Sequence, residues 1–242
     1  MPFLFLDLPD ENGVFNYRLE IVDKHPVLTN FLGKRFLVDT GSPISMTVNS
    51  EPFLLCGESF ESSKLNIIDT VQELSGLDVD GLIGLDVLSK FNVLVSYKDG
   101  FIKLSREAFH IPGQMVNMHV MPLKSAVTFE ANLNGQPVRC ILDAGAASAN
   151  YVVSARLVEG LESAGECEDF YPGVGRFRTT LYDMNLGVGE MNVPVKCGML
   201  PSSLSALSRL ISLMGQAVIG FDLLSQVNAV AINFRDKTMI IG

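Results

Sequence analysis

The chain has 242 residues, which suits one large domain or two of about 100–120 residues, each able to bury a core. Hydrophobic residues make up 48% of the sequence and charged residues 19%, a composition that excludes a disordered or tail-like segment. The net charge of −9 argues against nucleic acid and anionic membrane surfaces as partners, because both repel an acidic protein.

The N-terminal residues and the cysteines indicate the cellular compartment of the protein. No run approaches the roughly 18 apolar residues that a membrane span needs. The first eight residues are apolar but lack the basic segment and the cleavage site of a signal peptide. The four cysteines are widely spaced without a CxxC pair, which favours reduced thiols. We therefore expect a cytoplasmic protein; a secreted protein whose signal has been removed is the alternative.

Short strands and turns dominate the first half of the chain, and long helical periodicity is scarce. An apolar strand runs into an Asp-x-Gly turn, and after a variable middle an apolar-Ile-Gly segment leads into two more strands. In chain order these elements are a turn at Gly33, a strand at 36–38, the turn Asp39-Thr40-Gly41-Ser42, the segment 82–84, and strands at 93–97 and 101–104. The pattern predicts a mostly β structure with a few short helices.

The second half repeats the same order of elements. Residues 219–228 match residues 83–92 at six of ten positions. The repeated elements are a turn at Asn134-Gly135, a strand at 136–142, the turn Asp143-Ala144-Gly145-Ala146, the segment 218–220, and strands at 229–234 and 238–241. This repeated order indicates a duplicated structural unit. We predict two lobes, residues 1–110 and 111–242, with the boundary near Pro112-Gly113.

The second half is longer because its middle carries two further elements. The glycines and aromatic residues of 171–177 predict a hairpin. Pro201-Ser202-Ser203 is typical of a helix start. The side chains that follow it on one predicted helix face are Leu204, Leu207, Leu210, Ile211 and Met214.

These motifs together resemble those of bilobal pepsin-like and retropepsin-like aspartic proteases. The turns at Asp39 and Asp143 resemble the active-site turns of that family. The segments 82–84 and 218–220 resemble the apolar-apolar-Gly segment that packs against each turn. The length is closer to two fused retropepsin-type lobes than to a full-size pepsin. The resemblance implies a two-lobed acid-protease β-barrel fold in which Asp39 and Asp143 face each other across a cleft.

The activity implied by the resemblance is peptide-bond hydrolysis by an aspartic endopeptidase. Two close carboxylates share one proton, and together they activate a water and protonate the scissile carbonyl. No cofactor or metal is needed, and no metal-ligand spacing joins the three histidines. The substrate would be a peptide or an unfolded protein, and a monomer would be competent because one chain supplies both aspartates.

Substrate contacts are expected from both turns and from a hairpin that closes over the cleft. The residues expected to contact substrate are Thr40, Gly41, Ser42, Ala144, Gly145, Ala146, Tyr171, Gly173, Val174 and Gly175. Residues 56–60 are the only hairpin tip offered by the first half, and an ordinary surface loop is the alternative for 171–177. Ala144 stands where the family has Thr or Ser, so Thr40 alone can supply the hydroxyl that ties the two turns together.

Other interpretations of the same residues remain open. The Ala144 difference favours an inactive or weakly active protein that binds an extended peptide or a partner protein in the cleft. Asp78-Val79-Asp80-Gly81 resembles a phosphatase turn, but no continuous apolar strand precedes it, and an acidic turn explains it better. Asp86 and Asp222 recur in both halves, where each is expected to stabilise exposed N–H groups at a helix start.

Overall fold

The computed structural model describes residues 7–65, 67–201 and 204–242. The first six residues, on which the signal-peptide expectation depends, lie outside these ranges. Ser202 and Ser203 of the predicted helix start, and the side chain of Leu207, also lie outside the described part.

The strands are β1 (Val14–Val22), β2 (His25–Thr29), β3 (Arg35–Val38), β4 (Met46–Thr47), β5 (Phe53–Leu55), β6 (Glu58–Phe60), β7 (Gly81–Ile83), β8 (Asn92–Ser96), β9 (Phe101–Ser105), β10 (Gln114–Val120), β11 (Val127–Leu133), β12 (Gln136–Leu142), β13 (Asn150–Val152), β14 (Glu166–Tyr171), β15 (Gly175–Val188), β16 (Met191–Met199), β17 (Ala217–Ile219), β18 (Val230–Asn233) and β19 (Thr238–Ile241). The helices are α1 (Ile68–Ser75), α2 (Leu85–Leu88), α3 (Ser205–Met214) and α4 (Phe221–Gln226). The prediction of a mostly β chain with a few short helices is confirmed. Within the described ranges, no helix combines the length and the apolarity that crossing a membrane requires.

Two parallel strand pairs occupy equivalent places in the two halves. In the first half β3 pairs with β7, so that Val38 lies opposite Ile83. In the second half β12 pairs with β17, so that Leu142 lies opposite Ile219. Both pairs sit in one continuous sheet, which includes every described strand except β5 and β6 and closes on itself. The repeated strand, turn and Ile-Gly order of the sequence therefore produces the same local pairing twice.

The hairpin that leads into β12 follows directly from its turn residues. Asn134 and Gly135 both have positive φ, 49° and 78°, as a two-residue hairpin turn of this type requires. The turn sets the register of β11 and β12 with Leu133 opposite Gln136. This register continues to Leu142 at the end of β12, and Asp143 is the next residue.

Strands from both halves share one part of the sheet. β8 pairs antiparallel with β18, with Val95 opposite Val230. The segment between β9 and β10 lies against this shared part, because the Asn233 side chain accepts a hydrogen bond from the Phe109 N–H and donates one to the Phe109 carbonyl, both at 2.9 Å. The predicted boundary near Pro112-Gly113 falls in this segment. The division into two lobes stays a prediction.

The largest group of buried apolar side chains draws on both halves of the chain. Two smaller groups lie behind the parallel pairs, around Leu37 and Leu82 in one half and around Ile141 and Val218 in the other. These side chains alternate with those facing the main core, as expected for strands covered on both faces. Each aspartate turn is therefore held at the end of a strand buried on both sides.

Candidate active site

Asp39 and Asp143 each follow a buried strand and are held there by backbone hydrogen bonds. The Asp39 N–H donates to the Ile83 carbonyl at 3.0 Å, and the Asp143 N–H donates to the Ile219 carbonyl at 2.9 Å. These bonds continue the parallel pairing of β3 with β7 and of β12 with β17 beyond the last strand residue. The position of each carboxylate is thereby fixed by the element that the sequence repeats.

Each turn folds back so that its own backbone orients the carboxylate. The Gly41 N–H donates to Asp39 Oδ1 at 2.8 Å, and the Ser42 N–H donates to the same oxygen at 3.2 Å. In the other turn the Gly145 N–H donates to Asp143 Oδ1 at 2.9 Å. One oxygen of each carboxyl group is thus committed to its own turn.

The two turns lie against each other, and the two glycines make this possible. A β-carbon at Gly145 would lie 2.8 Å from Asp39 Oδ1, and one at Gly41 would overlap the Asp143 carboxyl group. Glycine is required at both positions because a side chain on either turn would collide with the carboxyl group of the other. The structure therefore brings together the two aspartates that the sequence identified.

Thr40 links the two turns from behind. Its hydroxyl donates to the Leu142 carbonyl at 2.9 Å and accepts from the Ala144 N–H at 2.9 Å. The Ala144 side chain is a buried methyl group and has no hydroxyl with which to form the reciprocal pair of bonds. The link between the turns is therefore one-sided.

Burial in the site raises the pKa of both carboxyl groups. For Asp143 the pKa rises well above its usual value, first because of burial and then because of the neighbouring Asp39 charge. For Asp39 burial also raises the pKa, while the Gly41 N–H, the contact with Asp143, the Ser42 N–H and the charge of His25 oppose the rise. Two carboxyl groups this close hold one proton between them over a range of pH.

Asp86 and Asp222 support the turns in a different way from the one predicted. Neither side chain caps its short helix. Asp86 instead accepts from the Ser45 hydroxyl at 2.5 Å, and that hydroxyl accepts from the Gly84 N–H. Asp222 accepts from the Asn150 side chain at 2.9 Å, whose oxygen accepts from the Gly220 N–H.

The prediction that these two aspartates bind exposed N–H groups at a helix start was therefore wrong. Both aspartates have a structural role. Each accepts a hydrogen bond from a polar side chain that in turn accepts one from the glycine N–H of the Ile-Gly segment. In both halves this places a buried polar side chain between the Ile-Gly segment and the helix after it. Sequence gave no sign of Ser45 or Asn150, because the two differ in type and lie at different distances from their turns.

A cavity of about 440 Å³ opens over the paired carboxyl groups. Its walls are mostly apolar. The first half contributes side chains from β3, β4, β7 and α1, and the second half contributes them from β13, β15, α3 and β17. The apolar side chains on these elements that line the cavity are Leu37, Met46, Leu82, Val71, Tyr151, Phe177, Ile211 and Val218. The site can therefore hold a ligand that carries apolar groups.

The hairpin of β14 and β15 covers part of the cavity. Tyr171 and Gly173 line it, and the charges of Asp143 and Asp39 add to burial in raising the pKa of Tyr171. Two contacts fasten the hairpin to the first half: Arg176 Nη2 donates to the Leu74 carbonyl at 2.7 Å, and the Phe170 ring stacks on His25 at 6.2 Å between centroids. The hairpin predicted at 171–177 thus spans both halves.

The remaining expected contact residues divide into two groups. Gly41, Ser42, Gly145 and Ala146 line the cavity. Thr40 and Ala144 do not line it, because both are buried behind the turns. Val174 and Gly175 do not line it either, because the hairpin turn carries them past the cavity and leaves the Val174 side chain 52% exposed.

The hairpin tip proposed for the first half has another position. β5 and β6 pair as expected, but Leu55, Cys56 and Phe60 are buried in the core. The Cys56 N–H donates to the Tyr17 hydroxyl at 2.7 Å. This hairpin does not line the cavity, and α1 forms the cavity wall on that side instead.

The predicted helix face of the second half was only partly correct. Leu204 and Ile211 line the cavity, whereas the Leu210 side chain is 55% exposed.

The acidic turn at residues 78–81 is structural, since Asp80 pairs with Lys34 at 2.7 Å and accepts from the Arg35 N–H at 2.9 Å.

Sequence reasoning missed two polar residues that line the cavity. His25 comes from the start of β2, and Asp169 comes from β14, where its carboxylate accepts a short hydrogen bond from the Tyr151 hydroxyl. Neither lies in a repeated motif. The only signal that could have identified His25 is the register of the β2–β3 hairpin, counted back from Asp39.

Comparison with known proteins does not identify the chain. No protein-family model matches it, and no curated protein matches it. Among solved structures, basic 7S globulin from soybean is similar with a TM-score of 0.47 and 10% sequence identity, over 95% of this chain and 94% of that chain.

The assignment of the chain to the pepsin-like and retropepsin-like aspartic proteases is therefore wrong as drawn from the sequence. The resemblance depended on four short motifs. They specify the two turns and the segments packed on them, but they do not constrain the residues between these motifs. No family pattern supports it over the rest of the chain.

Proposed function

We propose that this protein is an endopeptidase of the aspartic type, which hydrolyses peptide bonds with a water activated between Asp39 and Asp143. The observation that carries the proposal is the contact between these two carboxyl groups beneath an apolar cavity. Such a pair holds one proton and can therefore act as base and acid in one step.

The chemistry requires nothing beyond the pair and a water. The ionised carboxylate takes a proton from the water, whose oxygen attacks the scissile carbonyl carbon. The protonated carboxyl group gives its proton to the carbonyl oxygen. The proton taken from water then passes to the amide nitrogen as the C–N bond breaks, and the other carboxylate recovers a proton from the diol, which restores the pair.

The shape and chemistry of the cavity support a peptide as substrate. Apolar side chains from both halves of the chain line the cavity over the carboxyl pair, and the apolar side chains of an extended peptide would pack against them. The hairpin of β14 and β15 lies over the pair, where it would exclude water from a bound peptide.

A second candidate is a binding protein that holds an extended peptide without cleaving it. The one-sided Thr40 link favours it, because Ala144 leaves one turn without a hydroxyl to fix it against the other. A looser pair could keep both carboxyl groups and lose the alignment that catalysis requires.

The test is cleavage of an unfolded protein and of a peptide library between about pH 3 and pH 7. Wild type is compared with Asp39→Asn, with Asp143→Asn and with Asp236→Asn, a control at an exposed turn. We expect all three variants to fold. Asp39→Asn and Asp143→Asn should each abolish cleavage, and Asp236→Asn should retain it. Peptide binding without cleavage at any pH would refute the endopeptidase and support the binding protein.

A further inference from the structure

The register of the β2–β3 hairpin places His25 beside Asp39. Val27 lies opposite Leu37, the last pair of these two strands. If this register is continued by two residues beyond that pair, His25 falls opposite Asp39. Residues two apart on a strand point to the same face, and directly opposed residues have β-carbons about 4.5–5.5 Å apart. Leu37, Asp39 and His25 all line the cavity, in agreement with a shared face.

The His25 ring is buried but leaves one nitrogen available. The side chain is 7% exposed, and its Nδ1 lies 2.9 Å from the Asp23 carbonyl oxygen. A carbonyl oxygen can only accept, so Nδ1 is the donor of this hydrogen bond. In the described part of the chain Nε2 has no protein partner.

The second half has no counterpart to this imidazole. There Val127 lies opposite Leu142, and the same register continued by one residue pairs Ala126 with Asp143. Ala126 is buried, with 1% exposure. One carboxyl group of the pair therefore has an ionisable ring beside it, and the other has a methyl group.

Several other charged or titratable groups surround His25. Asp39 and Asp143 face it from the two turns, and Asp169 and Tyr171 flank the Phe170 ring that stacks on it. In its own turn Asp23 and Lys24 are both exposed, and the Lys24 Nζ lies 5.6 Å from the centre of the Phe221 ring. Asp169 is held by the Tyr151 hydroxyl. Of these groups, Asp39 is the one that the continued strand register sets opposite His25.

We propose that His25 is a positioning residue, which keeps the single proton of the pair on Asp143 and leaves Asp39 ionised. A protonated imidazole favours the charged form of the carboxyl group beside it more than that of the group further away. The effect of burial on the pKa of Asp39 is in fact opposed in part by the charge of His25. Under the proposed function, Asp39 is then the base that takes the proton from water, and Asp143 is the acid that protonates the carbonyl oxygen.

The test measures the two carboxyl groups directly. The whole protein is labelled with ¹³C at the aspartate carboxyl carbons, and the two resonances are assigned with Asp39→Asn and Asp143→Asn. Their chemical shifts are followed against pH in wild type, in His25→Gln and in His110→Gln, which changes an exposed histidine. Site-specific curves report the ionised fraction of each group even though the two titrate as a coupled pair.

We expect Asp39 to ionise at lower pH than Asp143 in wild type. In His25→Gln the Asp39 midpoint should rise by at least about one pH unit, a tenfold change in its ionisation equilibrium, and in His110→Gln neither midpoint should move. His25→Phe, which keeps a ring against Phe170, should behave like His25→Gln, and His25→Lys should restore the low Asp39 midpoint.

The proposal is overturned if Asp143 ionises first in wild type, or if the Asp39 midpoint is the same with and without the imidazole. These curves do not depend on cleavage. Ordered ionisation in a protein that cleaves nothing would refute the proposed function and leave the role of His25 standing. Cleavage that needs both aspartates, with unchanged midpoints in His25→Gln, would refute only the role of His25.

Discussion

At the scale of single residues, one hydroxyl and two glycines hold the carboxyl pair together. The Thr40 hydroxyl makes two buried hydrogen bonds across the turns. Gly41 and Gly145 allow each turn to touch the carboxyl group of the other. These contacts join residues about a hundred positions apart in the sequence, so a change at any one of them should affect both turns.

Thr40→Val should destabilise the protein while keeping the shape of the side chain. It leaves the Leu142 carbonyl and the Ala144 N–H without their partner, at a cost of about 1–3 kcal/mol in the free energy of unfolding. Urea denaturation measures the change. Thr40→Ser retains the hydroxyl and should lie close to wild type; equal stability of Thr40→Val and Thr40→Ser would contradict a bonding role for this hydroxyl.

Gly41→Ala should separate the two carboxyl groups. The added β-carbon would overlap the Asp143 carboxyl group, which has to move away. We expect a loss of catalytic activity of at least about a hundredfold, because small misplacements of reacting groups cost this much. The control is Gly187→Ala, where a β-carbon would meet the Asn192 side chain at an ordinary 3.4 Å. Retained activity in Gly41→Ala would show that the contact between the turns is not needed.

At the scale of elements, the two halves contribute different elements to the walls of the cavity. α1 and α3 both line it, and among the described residues a hairpin that lines the cavity, β14 with β15, comes from the second half alone. That hairpin reaches the carbonyl of Leu74 in the last turn of α1 through Arg176, and a cation is favourable at the C-terminal end of a helix. The hairpin therefore bridges the halves above the carboxyl pair.

Arg176→Ala should loosen this cover without touching the chemistry. Losing the bond to the Leu74 carbonyl should raise KM severalfold with little change in kcat, and should speed amide hydrogen exchange in residues 171–175. Arg178→Ala is the matched control, because Arg178 lies on the same strand and pairs only with Glu168, at 3.8 Å, in the described structure. Equal behaviour of the two variants would mean that the hairpin does not depend on its contact with α1.

At the scale of the whole molecule, the buried carboxyl pair should make stability depend on pH. An acid whose pKa is higher in the folded state than in the unfolded state binds its proton more tightly when folded. Its contribution favours folding below the unfolded pKa and is lost as pH rises through the folded pKa. Burial raises the pKa of both Asp39 and Asp143, so the pair should weaken the fold as the pH approaches neutrality.

Asp143→Asn should therefore be more stable than wild type at pH 7, by about 1 kcal/mol or more, and close to wild type near pH 3. Urea denaturation at several pH values between these limits measures the difference. Asp236→Asn, at an exposed turn, should follow wild type throughout. A difference between Asp143→Asn and wild type that does not change with pH would contradict the raised pKa.

A single chain contains the complete carboxyl pair, so activity should not require association. We expect specific activity to stay constant on dilution over at least about a hundredfold, with a monomer in analytical ultracentrifugation across the same range. Activity that falls with dilution as a dimer dissociates would show that a second copy completes the site.

The sequence by itself determined the mostly β structure, the duplicated order of elements and the identity of the two aspartates. These depend on local rules: apolar strands, the Asn134-Gly135 turn, and an Asp-x-Gly sequence that orients its own carboxylate through neighbouring N–H groups. The same short motifs suggested a family that the rest of the chain does not support. Local rules constrain a turn and say little about the segments between turns.

Only the tertiary structure decided which residues surround the carboxyl pair. The contact between the turns, the wall formed by α1 and the cover formed by β14 and β15 all join segments far apart in the chain. The strand registers, continued past their last pairs, set His25 opposite Asp39 and Ala126 opposite Asp143. A register shifted by one residue would turn His25 to the other face of the sheet, so its place depends on the packing that fixes the register.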